Sequence, residues 1–374
     1  MVQMIENTEV RQLSDIRPGL TDFFMLADIH FGIFANNEEW RDNIEDYFNN
    51  FFIPLLKERM TPGSFLIVLG DVYDDRKSID IDVNNRCIEI FERISSMLPV
   101  IILSGNHDIY KKTILNSNIT SLKSLEHIPN LTMLSHPVRY WQGDKSLFIL
   151  PYLGDYTLET KFLNENRNSD YIFMHDEIKS GLKFDNGRDI TNGVSTEGII
   201  GRIYSGHIHT RQSEGKVTYI GNPFHARKSD INNTKGVYHI NLSDGSEEFI
   251  ENHYSPIYQK VWLADLLEMT YAEACRILGN NYTDIIVDGA DTDKFRSADI
   301  TEEVKPYHPK KILFPVINTK KQMLAESAGS QQSHGQNIPE IIHGLIDNMD
   351  LENGKKIRLK SLADKYQKMA DEGS

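Results

Sequence analysis

Five short blocks of this sequence carry Asp, Asn or His where an apolar run ends: Asp28-Ile29-His30, Gly70-Asp71, Gly105-Asn106-His107-Asp108, His175 and Gly206-His207-Ile208-His209. Two Asp (Asp28, Asp71), one Asn (Asn106) and four His (His30, His175, His207, His209) among them are oxygen and nitrogen donors of the kind that hold a pair of divalent metals. A metal pair of this kind suits phosphate-ester hydrolysis. Asp28 and His30 flank one residue, so in an extended chain both side chains are expected on the same side. His207 and His209 repeat that spacing. The two carboxylate oxygens of Asp71 can bridge cations ~3.5 to 4 Å apart, and Gly70 lets the backbone turn sharply beside them. Asn106 offers a neutral carbonyl oxygen, which leaves the neighbouring His107 free for chemistry. Asp108 is then expected to hold the His107 ring by a hydrogen bond and favour its charged form. His175 alone would read as a hydrogen-bonded turn residue; in the company of the other blocks it reads as a donor.

At 374 residues the chain exceeds one ordinary domain, with 40% apolar and 25% charged residues, as in a soluble globular protein. No apolar run approaches the ~18 residues needed to span a membrane. Residues 1–22 carry charges throughout and have no apolar block of the secretory type, so a cytoplasmic location is expected. Cys87 and Cys275 are the only cysteines, each within a helix-like pattern. Buried, inert thiols are expected rather than a disulfide framework or a zinc-thiolate site. The net charge of -14 is unusual for a protein that grips nucleic acid, although binding depends on local patches and cations neutralise part of it.

The elements that must position the donors are legible as continuous apolar runs at residues 23–27, 65–69, 100–103, 146–150, 171–174, 199–204 and 217–220. Apolarity without alternation marks strands covered on both faces, and functional groups then gather where such strands end. Helical spacing is expected over 38–59, through Trp40, Ile44, Tyr47, Phe48, Phe51, Phe52 and Leu55, and over 80–98. After residue 255 the metal-donor spacing stops. The chain therefore divides into a catalytic unit at 1–255, a small α+β accessory unit at 256–322 with a helix over 263–278, a linker at 323–337 and a helical tail at 338–374. In the tail, Ile338, Ile341, Ile342, Leu345, Ile346 and Met349 recur on one helical face. So short a helix with so strong a stripe needs a surface to dock on, its own core or a partner's.

The order D-x-H, G-D, G-N-H-D, H, G-H-x-H resembles that of the calcineurin-like metallophosphoesterases. The resemblance implies a four-layer α/β/β/α sandwich around a two-metal site, manganese by expectation and magnesium as the alternative. Within that family, the Asp28-Ile29-His30-Phe31-Gly32 block, accessory unit and tail are similar to SbcD-type DNA repair nucleases, and especially to the nuclease subunits of T4-like phage recombination complexes. Carried over by position, Asp28, His30, Asp71 and His209 would hold one metal and Asp71, Asn106, His175 and His207 the other, with His107 catalytic beside Asp108. The resemblance also implies an SMC-like ATPase bound through the tail, in a heterotetramer containing a homodimer of this chain. One departure stands out: many members have a His three residues after the bridging Asp, where this chain has Tyr73-Asp74-Asp75.

The expected reaction is phosphodiester cleavage of DNA, exonucleolytic, endonucleolytic or both. Backbone contacts suit an enzyme that degrades many sequences, and Arg76, Lys77, Lys111, Lys112, Arg227 and Lys228 are the candidate phosphate-contacting cations. Two rival readings are a phosphoprotein phosphatase or cyclic-nucleotide phosphodiesterase on the same fold and a non-catalytic scaffold for the ATPase. A complete donor set speaks against the scaffold.

Overall fold

Strands account for most of the apolar runs, and both faces of each are covered. In a computed structural model, which describes residues 7–112, 119–287 and 297–314, two sheets stack face to face. The first runs in spatial order Glu247–Glu251, Gly236–Asn241, Asp22–Leu26, Ser64–Leu69, Val100–Leu103, Leu131–Leu134, parallel from the third strand onward. The second runs Glu9–Gln12, Val138–Gln142, Lys145–Leu150, Tyr171–His175, Arg202–Gly206, Val217–Tyr219, Gln212–Glu214.

Because side chains alternate across a strand, each apolar run divides between two cores. Phe23, Met25, Phe65, Ile67 and Leu69 meet Leu147, Ile149, Phe173 and Tyr204 between the sheets. Phe24, Leu26, Leu66 and Val68 face outward, beneath Trp40, Ile44, Phe48, Phe91 and Ile94 of the helices. On the far side, Phe148, Leu150, Ile172 and Met174 pack under Phe162 and Leu163 of the helix Tyr156–Glu165. The result is the expected layered α/β sandwich. Each such side chain contributes ~1.5–3 kcal/mol when fully buried, so a rigid double sheet supports the loops at its strand ends.

The expected helix over 38–59 is present but changes pitch. Glu38–Tyr47 and Ile53–Arg59 are α-helical, and Phe48–Phe52 between them forms a wider π turn. Pro54 follows directly; it has no N–H to give, and its ring would crowd the preceding α-helical turn. The second expected helix spans Ile81–Ser95, started by Asp80, whose carboxylate accepts from the N–H groups of Asp82 and Val83 at 2.9 and 3.3 Å. Cys87 is buried in it, whereas Cys275, in the helix Tyr271–Leu278, is only half-buried. One strand expectation was misplaced: the 199–204 run pairs from Arg202 to Gly206, and Gly201 just before it lies so close to the Ser169 carbonyl that no Cβ would fit.

Beyond residue 255, Tyr258–Trp262, Tyr282–Ile286 and Lys311–Leu313 form a separate parallel sheet with its own core of Val261, Leu266, Leu278, Ile285, Ile300 and Val304. The helix expected over 263–278 is two helices, Leu263–Glu268 and Tyr271–Leu278, broken where Thr270 and Glu273 form a reciprocal cap. Trp40 stacks on Tyr258 and Tyr282 with ring centroids 6.3 and 5.7 Å away, and Asn43 donates to the Tyr282 hydroxyl at 2.9 Å, fastening this sheet to the sandwich. The linker at 323–337 and the tail residues Ile338, Ile341, Ile342, Leu345, Ile346 and Met349 lie outside the described residues. Among the described residues, no helix is long and apolar enough to cross a membrane.

Candidate metal centre

The donors converge because the loops after three neighbouring strands lean on one another. The backbone N–H groups of Asp28, His30 and Phe31 donate to the carbonyls of Gly70, Asp71 and Val72 at 3.1, 3.0 and 2.8 Å. Asp28, His30, Asp71 and His207 have φ of 53°, 54°, 51° and 81°, left-handed values that side chains with a Cβ seldom adopt. The extended geometry expected for Asp28 and His30 is therefore wrong: a left-handed turn brings them together. Each such residue costs ~1 kcal/mol or more and persists only where its surroundings hold it. The glycines of the motifs explain themselves sterically. A Cβ on Gly70 or Gly206 would come within 2.6 or 2.7 Å of His175 Nδ1, and one on Gly105 would collide with Asp71.

Two groups of atoms share one carboxylate oxygen. His30 Nε2 lies 3.1 Å from His209 Nε2 and 3.8 Å from Asp71 Oδ2, and Asp28 Oδ1 is 3.9 Å from His209 Nε2. On the other side, His175 Nε2 lies 3.3 Å from the same Asp71 Oδ2 and 3.1 Å from Asn106 Oδ1, which is 2.7 Å from His207 Nδ1. Asp71 Oδ1 is occupied, accepting from the His107 backbone N–H at 2.7 Å. All seven sequence-selected donors thus meet, with Asp71 Oδ2 between the two sets.

Electrostatics favours added positive charge. Burial pushes Asp28 up to about 6, with Asp71 reinforcing and His175 opposing. Burial also opposes charge on Asp71, but His175, His30 and His107 hold its carboxyl well below the usual range. The His175 ring, though buried, is lifted to about 9 by Asp71, whereas burial and His30 keep His209 well below its ordinary value. The two buried carboxylates thus raise the basicity of the His30 and His175 rings beside them. A donor set of oxygen and nitrogen without sulfur fits divalent cations of the magnesium and manganese kind, which would offset the carboxylate charge without protons.

His107 is in place, its ring edge-on to His30 at 5.1 Å, but Asp108 does not hold it. The Asp108 carboxylate accepts from the backbone N–H groups of Gly105, Val72 and Tyr73 at 2.9, 3.1 and 3.2 Å. It is a buried clamp between two loops. His107 Nδ1 instead lies 2.5 Å from the backbone oxygen of Asp74. Burial lowers its basicity, contrary to the expected charged ring, while Asp71 and the Asp74 carbonyl act the other way.

A family model for calcineurin-like phosphoesterases matches residues 22–211, which takes in every donor and His107. The chain belongs to the calcineurin-like phosphoesterase family. Phosphoester hydrolysis by a divalent-metal centre is the activity this membership and these donors support. A relative in Invertebrate iridescent virus 3, the 078R protein, is 25% identical over 196 residues, 49% of this chain and 56% of the relative. The chain therefore spans little more than half of that relative's length. A solved structure of a protein of unknown function, AQ665 from Aquifex aeolicus, aligns over 44% of this chain and 80% of its own at 17% identity with a TM-score of 0.26.

Around this candidate metal centre stand three carboxylates that sequence spacing did not single out as partners. Asp74 Oδ1 lies 3.1 Å from His30 Nδ1, Glu177 Oε1 3.5 Å from His207 Nε2, and Asp185 Oδ2 4.0 Å from His209 Nδ1. Glu177 sits two residues from His175, a signal that was available; Asp185 comes from a turn with no motif. Of the expected cations, Arg76 and Lys77 line a cleft of about 490 Å³ with Tyr110 and Ile119, and Lys111 sits over the Tyr110 ring at 5.3 Å. The charge of Arg76 acts on His107 and that of Arg227 on Asp74 and His209, so both border the centre. Lys228 is not a free cation: its Nζ bonds both oxygens of Asp284 at 2.8 and 3.0 Å, tying the accessory sheet to the sandwich. The Lys112 side chain lies outside the described residues.

Proposed function

We propose that this chain is a two-metal DNA nuclease that hydrolyses phosphodiester bonds, with manganese preferred, and acts with an SMC-like ATPase in DNA recombination or repair. The observation that carries the substrate class is the set of cations at the rim. Arg76 and Arg227 act electrostatically on the buried cluster, and Lys77 and Lys111 lie beside Arg76 and Tyr110 along the adjoining cleft. A strand's phosphates would lie on such a rim without base readout. Asp28, His30, Asp71 and His209 would hold one cation and Asp71, Asn106, His175 and His207 the other. When bound, the pair polarises the phosphoryl group and makes water nucleophilic near neutral pH.

The rest falls to the protein's own groups. Asp71 holds the two donor sets in register through its His107 N–H bond. His107, with Nδ1 directed at the Asp74 carbonyl, keeps Nε2 as the site from which a proton passes to the leaving oxygen. Before it can donate, the neutral ring takes up a proton from solvent, an uptake that the negative charge of an approaching phosphodiester favours. The expected roles of the tail, as the site for the ATPase, and of a homodimer within a heterotetramer belong to the same proposal.

The deciding experiment incubates the purified chain with manganese and end-labelled single- and double-stranded DNA, with and without the ATPase. Manganese-dependent cleavage is expected. Hydrolysis of phosphoproteins or cyclic nucleotides with DNA left intact would replace this reading with the phosphatase or phosphodiesterase.

A further inference from the structure

Each of the four donor histidines turns one ring nitrogen toward the shared cluster and the other toward an oxygen. For His175 that oxygen is the Leu69 carbonyl, 2.6 Å from Nδ1; for His207 and His209 it is Glu177 and Asp185. His30 is the least settled: its buried Nδ1 has no aligned hydrogen-bond partner, while Asp74 Oδ1 lies 3.1 Å away. A buried ring N–H without an acceptor is costly, and rotating one carboxylate supplies it. Asp74 is delivered there by its backbone, since its N–H donates to the Phe31 carbonyl at 3.0 Å. Its own carbonyl meanwhile meets His107 Nδ1.

We propose that Asp74 is a positioning residue that couples the two halves of the site: its side chain orients the donor His30 and its carbonyl orients His107. A carboxylate on the far nitrogen of a donor imidazole fixes which nitrogen carries the proton, keeps the lone pair on Nε2 and makes the ring a stronger donor. When His30 turns to take up a cation, the Asp74 segment follows, and the His107 ring is set in the same motion. Metal occupancy and the orientation of the catalytic ring are thereby linked through one residue. The proposal rests on the metal-holding role given to His30 above, but not on the substrate being DNA.

The test uses Asp74→Ala, Asp74→Asn and Asp74→Glu in the full chain, with ring nitrogens followed in protein carrying 15N-labelled histidine and manganese alone titrated by calorimetry. Asp74→Ala is expected to change the tautomer pattern of His30 and weaken manganese binding about 10- to 100-fold. Asp74→Asn, which keeps an acceptor and loses the charge, should fall between Ala and the native chain, and Asp74→Glu should restore most of the affinity. On a small phosphodiester, the Ala change should lower kcat more than it raises KM. Native affinity and unaltered His30 signals in the Ala variant would overturn the proposal; if that variant does not fold, the same result in Asp74→Asn overturns it. A native chain that binds manganese but cleaves no DNA would overturn the nuclease reading and leave this one standing.

Discussion

The two ends of the first sheet treat the same residue type in opposite ways. At the leading end of the strand Asp22–Leu26, the Asp22 carboxylate accepts from Ser64 Oγ at 2.6 Å, Thr21 Oγ1 at 2.9 Å and Thr61 Oγ1 at 3.0 Å, and faces His239 Nε2 at 2.9 Å. Burial opposes its charge, but those partners hold it at about 2. Just past the trailing end of the same strand, Asp28 shares its surroundings with Asp71 and is pushed up to about 6. One end is internally satisfied. The other holds more acceptor capacity than the protein neutralises well, together with left-handed backbone that sequence preference opposes. The difference shows where folding ends and function begins: the sheet is stabilised at one edge and left to be completed by cations at the other.

The largest effect is expected at the shared oxygen. Asp71→Ala should abolish manganese binding in calorimetry and lower phosphodiester hydrolysis at least ~1,000-fold, the size of losing several kcal/mol of charge stabilisation. Tight binding of two cations by that variant would break the comparison, because the trailing end would then not depend on Asp71. His107→Ala is expected to reduce cleavage ~100- to 10,000-fold while manganese binding stays near native, as for loss of a proton donor that is not a ligand. Equal loss of metal binding would move His107 among the donors.

Stability should respond elsewhere. Lys235, with Asp230 2.6 Å from its Nζ and both side chains almost fully buried, also donates to the His209 carbonyl at 2.7 Å. Lys235→Met leaves Asp230 uncompensated in the interior and should cost ~3–5 kcal/mol in denaturant unfolding. A variant as stable as the native chain would mean that the segment behind His209 is supported by packing alone.

Much of the trailing edge is legible in the sequence. Apolar runs ending in donors identify strands, and Gly70, Gly105 and Gly206 announce the crowding around His175. What spacing could not supply is direction. Asp108, beside His107 in sequence, turns away to clamp Gly105, Val72 and Tyr73, whereas Asp74, thirty-three residues away, meets that ring. Adjacency in sequence says little about side-chain contact at a left-handed turn. Lys228 shows the same limit for charge, since only the accessory sheet reveals that Asp284 occupies it. Strands half-exposed or short, such as Leu131–Leu134 and Val138–Gln142, gave no continuous apolar run and went unread.

The smallest effect sharpens the leading end. Asp22 has a folded-state pKa of about 2 against an ordinary 3.8, so its contribution is complete above the unfolded value and disappears as pH falls through the folded one. Allowing for solvent screening, that contribution is ~1–2 kcal/mol. Asp22→Asn should therefore lower stability by about that much at neutral pH, and the gap between variant and native chain should close between about pH 4 and pH 2. Unfolding curves at several pH values measure it, in metal-free protein so that the trailing end does not contribute. A gap that stays constant down to pH 2 would show that Asp22 acts through shape and neutral hydrogen bonds rather than charge, and the contrast between the two ends would then be one of packing.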